Sequence, residues 1–161
     1  MNTFVYLIGE ANKWVGRLAG LLILAVVLII VREIIARSMF NAPSLWADES
    51  ITYLAGIAYV LGGGYTLLYR AHVAVDMVYA NLGWEKKRIC DTLAFLLFTL
   101  YCFTLIWYGW GMAATSLAEN ETSGTLWNPL VWPVKYAIPV AGVLLFLQGL
   151  ANLSKNFQEK R

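Results

Sequence analysis

The 161-residue chain is 60% apolar and 14% charged, with a formal net charge of +2, which excludes an ordinary water-soluble domain of this length. Its single histidine excludes a haem held by two histidines of this chain, and Cys90 and Cys102 lack the CxxC pairing or ligand cluster of a thiol oxidase or metal centre. Lipid is the expected solvent, so the informative pattern is uncharged runs of roughly 20 residues, enough helix to cross about 30 Å of hydrocarbon.

Four such runs occur. Residues 14–31 are apolar apart from Arg17, and residues 50–69, 92–118 and 136–154 carry no charge. Unpaired backbone groups cannot face lipid, and the runs lack the alternation of barrel strands, so helices are expected. With flanking turns, the predicted spans are 14–37, 48–70, 91–118 and 133–154 in an all-α integral membrane protein, with 1–161 as a single membrane domain. The first run reads as a retained helix rather than a leader, because Arg32 and Glu33 follow it directly and no small-residue cleavage site does. Arg17, near its start, is placed to reach the headgroups along its alkyl stem.

Between the first two spans the chain reads Asn41-Ala42-Pro43-Ser44-Leu45-Trp46-Ala47-Asp48-Glu49. Pro43 is expected to stop one helix, Ser44 to cap the next, and Asp48 and Glu49 to sit at the positive amino-terminal end of the second. A sharper expectation is that Arg32 or Arg37 pairs with Asp48 or Glu49. In the second span Gly56, Gly62, Gly63 and Gly64, with Ala55 and Ala58, leave a surface suited to close helix packing, within this chain or against another.

The next connection carries Arg70, His72 and Asp76, then a basic run from Lys86 to Arg88. Its middle is apolar enough to predict a short interfacial segment lying along the membrane. A helix would put His72 and Asp76 on one face, but two ligands do not make a metal site, and hydrogen bonding is the expected role. Nine of the twelve Lys and Arg residues lie at the termini or in this connection, and only Arg32, Arg37 and Lys135 on the opposite side. The positive-inside rule then predicts cytoplasmic termini, and Trp46, Trp84, Trp107, Trp110, Trp127 and Trp132 are expected near the helix ends. No Asp, Glu, Lys or Arg lies mid-way along the second, third or fourth span, where ion-coupled carriers and drug exporters keep such groups. Transport by this chain alone is not expected.

The run from Arg37 through Trp46, Glu49 and Gly62-Gly63-Gly64 to Arg70, His72, Val73, Val75 and Asp76, with Leu126-Trp127-Asn128-Pro129 and Gln148-Gly149 beyond it, resembles the DctQ-type small membrane subunit of TRAP (tripartite ATP-independent periplasmic) transporters. The resemblance implies a bacterial inner-membrane protein that scaffolds a large DctM-type subunit and does not bind substrate itself. The large subunit and a periplasmic substrate-binding protein would carry the sodium-coupled transport of organic acids. Arg37, Trp46, Glu49, Gly62, Gly63, Arg70, His72 and Asp76 would then be folding or subunit-contact residues, with membrane lipid as a further partner. No catalytic residue, cofactor, metal or nucleic-acid partner is expected. The competing class is a four-helix membrane anchor of a redox enzyme, which would need the paired histidines or cysteines that this sequence lacks.

Overall fold

Backbone amides have no partner in hydrocarbon, and each apolar run meets that constraint by forming a continuous helix. The computed structural model describes residues 3–69 and 83–159. Within them lie α1 (Thr3–Phe40), α2 (Ala47–Leu68), α3 (Trp84–Ala118) and α4 (Trp132–Glu159). All four contain a stretch long and apolar enough to cross a membrane. The architecture is all-α, and the one extended pairing among the described residues is an isolated antiparallel bridge between Thr122 and Leu130. The expected interfacial segment lies outside the described residues.

The helices differ from the predicted spans at their ends. α1 begins at Thr3 and α4 runs to Glu159, because a helix does not stop where its side chains become polar. It needs only its own backbone hydrogen bonds to continue beyond the lipid. α2 stops at Leu68, two residues short of the expected limit. α1 ends before Asn41, which adopts a left-handed φ of 48°, a conformation that asparagine tolerates better than most residues. α3 ends at Ala118 and is closed by Asn120, also at 48°, with the Asn120 amide donating to Leu117 O and the Glu121 amide to Ser116 O at 2.9 Å. This is a Schellman closure with asparagine in the usual glycine position.

α1, α2 and α4 pack on one another, and α3 packs on α4. Small residues set these approaches. A methyl group added to Gly63 would lie 3.2 Å from Leu145 Cδ1 of α4, and one added to Gly56 would lie 3.9 Å from Val134. On the other side of α4, Gly142 meets Leu105 and Ile106, and Gly109 of α3 receives Ile138 and the ring of Pro139, each at 3.1 Å. Pro139 sits inside α4 and is fully buried. The Lys135 carbonyl therefore lacks its usual amide partner, since proline has no N–H. Gly56, Gly63 and Gly64 are used within the chain, whereas a methyl group on Gly62 would meet nothing within 4 Å.

Candidate functional site

At the end where α1 leaves and α2 enters, Glu33 is the organising residue. It lies two turns before the end of α1, and its side chain is only 6% exposed. Arg37 Nε donates to Glu33 Oε1 at 2.8 Å, Arg32 Nη1 to Oε2 at 3.1 Å, and the Ser44 backbone amide to Oε1 at 2.9 Å. Two guanidinium groups and one peptide N–H thus compensate a carboxylate largely removed from water, the condition under which a buried charge is tolerated. Arg37 reaches on with Nη2 to Asp48 Oδ2 at 2.9 Å. Arg32 donates to Ser44 Oγ and lies over the Trp46 ring at 5.2 Å. The turn 41–46 is folded back onto α1 by these contacts.

Two expectations change in detail. Ser44 does not cap α2: Trp46 occupies the N-cap position without a side-chain cap bond, and Ser44 is drawn to Glu33 and Arg32 instead. Of the possible Arg–acid pairs between α1 and α2, Arg37 with Asp48 forms, while Glu49 takes a hydrogen bond from Ser123 Oγ at 3.2 Å. Asp48 and Glu49 both occupy the first turn of α2, where the exposed amides favour negative charge.

The connection between α3 and α4 is built on the same end. Val131 N donates to Glu121 O and Ser123 N to Pro129 O, each at 3.0 Å. Gly124 and Asn128 take left-handed φ values of 73° and 54°, and Gly124 N donates to Asn128 Oδ1 at 3.0 Å. Lys135 bonds to Glu121 and holds its carboxyl below the usual carboxylate range. A lowered folded value means that this contact contributes fully above the ordinary carboxylate pKa and is lost as pH falls through the lowered one. The expected result is faster hydrogen exchange at the Val131 amide on acidification, beyond the intrinsic rate change. In Lys135→Met that acid dependence should shrink, since Lys135 is the largest cause of the lowered value.

A second polar group lies toward the opposite end, where α1, α2 and α4 meet. Asn12 Nδ2 donates to Gln148 Oε1 at 3.0 Å and to Ile8 O at 3.2 Å. Gln148 Nε2 donates to Asn152 Oδ1, and Asn152 Nδ2 to Leu67 O, both at 3.0 Å. Asn12 and Gln148 are fully buried, and Asn12 Oδ1 has no conventional donor. It rests instead against Gly64, in the space a side chain would fill, a place for a weak Cα–H···O contact. Scanning for ionic residues misses these neutral amides. The four-residue spacing of Gln148 and Asn152 inside an apolar helix is the signal that points to them. Gln148→Leu is expected to cost about 0.6–1.7 kcal/mol, the range for interhelical side-chain bonds in membranes. Adding Asn12→Leu should cost less than the sum, as read by thermal unfolding in detergent.

The remaining predicted residues fall as follows. Trp46 is the platform for Arg32, Arg37 and Glu49 belong to the α1–α2 end, Gly63 packs on α4, and Gly62 faces outward. Arg70, His72 and Asp76 lie outside the described residues. Arg17 stacks over Trp14 at 5.1 Å. Trp110 lies two turns inside α3, edge-on to Tyr136 with 5.8 Å between ring centroids. Cys102 is buried and Cys90 exposed, both as free thiols. Among the described residues no three His, Cys, Asp or Glu side chains gather as a metal site would require.

Comparison with known proteins fits this arrangement. The sialic acid TRAP transporter permease protein SiaT of Haemophilus influenzae (strain 86-028NP) is 24% identical over 152 residues, which is 94% of this chain and 24% of the relative. The chain thus spans about a quarter of the length of the curated relative it matches. Residues 10–159 match the family described as tripartite ATP-independent periplasmic transporters, DctQ component. With its four apolar helices and a match over nearly its whole length, this multi-pass membrane protein belongs to the DctQ component family of the TRAP transporters.

Proposed function

We propose that the chain is the small membrane subunit of a sodium-coupled, binding-protein-dependent transporter of organic acids, and that it braces a large transport subunit without binding substrate itself. The observation that carries this reading is where charge is placed and what it does. The central part of every span lacks Asp, Glu, Lys, Arg and His, and the polar groups buried at the two ends are bonded mainly to one another. Groups already engaged in holding helices together are not free to take up and release an ion or an anion in each cycle. Such a chain supports a moving partner rather than moving solute.

The partner supplies what the remaining three quarters of the longer relative supplies, and a binding protein outside the membrane delivers the solute. The relative's substrate by name, sialic acid, is itself an organic acid. Both termini are assigned to the cytoplasm from the distribution of Lys and Arg, which puts the Glu33 cluster and the 119–131 connection on the periplasmic side. We assign residues 1–161 to a single membrane domain. The test is co-expression with a large DctM-type subunit. The expected result is co-purification as one particle, with organic-acid binding absent from this chain alone. A stable monomer that binds an organic acid would contradict the reading.

A further inference from the structure

α2 and α3 stand on opposite flanks of α4, and a groove of about 200 Å³ opens between them. Its floor is Ala141 and Leu145 of α4, and its walls are Tyr59, Val60 and Gly63 of α2 and Tyr101 and Leu105 of α3. Tyr59 lies midway along α2 and Tyr101 at the centre of α3, so both phenols sit far from either membrane surface. They are 76% and 55% exposed, and neither hydroxyl has a hydrogen-bond partner among the described residues.

The outward face of α1 provides the contrast. Leu21, Leu24, Leu28, Val31 and Ile35 are all exposed there, and acyl tails solvate such a surface without loss. A phenol at mid-depth is different, because a tail offers its O–H nothing and an unpaired hydroxyl in hydrocarbon is unfavourable. Lipid carbonyls, the nearest acceptors in a bilayer, lie at the interface and not at its centre. An occupant that satisfies the two phenols must bring an acceptor into the core, and a protein helix with a polar side chain or an uncovered carbonyl does so. Gly63 and Ala141 keep the floor and one wall low, so the ridge of side chains along such a helix can enter the groove.

We propose that the groove between Tyr59 and Tyr101 receives a transmembrane helix of the large subunit, which presents a hydrogen-bond acceptor to the two phenols at mid-membrane depth. This rests on the function proposed above and adds which face of the chain makes the contact. The test uses the co-expressed complex with the photo-crosslinker p-benzoylphenylalanine in place of Tyr59, or in place of Leu24 on the α1 face, and identifies adducts by mass. The expected result is an adduct with the large subunit from position 59, on the order of tenfold stronger than from position 24. In parallel, Tyr59→Phe with Tyr101→Phe should weaken the complex about thirtyfold, the loss expected for two net hydrogen bonds, while the melting of the isolated chain is unchanged. Adducts from position 59 with lipid or a second copy of this chain, in a complex that still co-purifies, overturn the proposal and leave the partnership standing. Failure of the two proteins to co-purify overturns both.

Discussion

Gly16→Leu is expected to destabilise the α1–α2 pair by about 2–3 kcal/mol, the upper part of the range for overpacking a tight contact. Gly16 lies directly beneath Tyr65, and a side chain there would run into the ring and come within 2.9 Å of Tyr65 Cβ. The obstacle includes an atom fixed to the α2 backbone, so rotating the ring does not clear it. Either the helices separate or Tyr65 changes rotamer and gives up its contact with Tyr69, now at 4.8 Å between ring centroids. Gly16→Ala should show a smaller effect of the same sign. Thermal unfolding in detergent checks the loss, and Tyr65→Ala, which removes the ring and leaves only the Cβ contact, should recover part of it in the double variant. Strictly additive losses would show that this contact is not the cause.

Glu33→Ala is expected to lower thermal stability more than either amide substitution in the Asn12–Gln148 network. The change removes an acceptor shared by two guanidinium groups and the Ser44 amide at once, and the loss of the central member of a network breaks all of its bonds together. Arg37 keeps Asp48, a partner that is 75% exposed and adds little by itself. Glu33→Gln should be the milder variant, since an amide still accepts from Ser44 and one arginine. In an Arg37→Gln background the cost of Glu33→Ala should shrink, which the same melting experiment reads as non-additivity. The turn 41–46 should loosen in parallel, visible as faster hydrogen exchange at the Ser44 amide.

The four apolar runs identify the four helices because lipid permits only helices and closed barrels, and the runs lack the alternation of barrel strands. Pro43 marks the first break for an equally local reason, and Asp48 and Glu49 reveal the start of α2 through the helix-end field. Glu33 is harder to read. Beside Arg32 it looks like one more boundary charge, and its burial arises only once the turn folds back and brings Ser44 to it. Ser44 shows the same limit, since the hydroxyl that would cap α2 accepts from Arg32 instead and its amide donates to Glu33, eleven residues earlier. Gly16 and Gly64 matter because of what faces them, Tyr65 and Asn12, and a single glycine in an apolar run carries no mark of that. Gly62 carries the same local signal as Gly63, yet one turns outward and the other packs on α4, a difference set by helix rotation rather than composition.

The interior polar groups explain how a chain with little internal charge holds a defined shape. In lipid the hydrophobic effect does not drive helix against helix, so small-residue contacts and a few satisfied polar bonds take that role. Here the Glu33 cluster fixes α1 to α2 at one end, and the Asn12–Gln148–Asn152 chain ties α1, α2 and α4 toward the other. α3 is added through the glycine contacts on α4. A frame clamped near both ends suits a static support.

Transport in vesicles tests the supporting role most directly. Proteoliposomes containing this chain, the large subunit and the binding protein should accumulate an organic acid when an inward sodium gradient is imposed. Vesicles lacking this chain should lose that uptake, and vesicles holding this chain alone should show none. Gradient-driven accumulation by this chain alone, or undiminished uptake in its absence, would contradict the account.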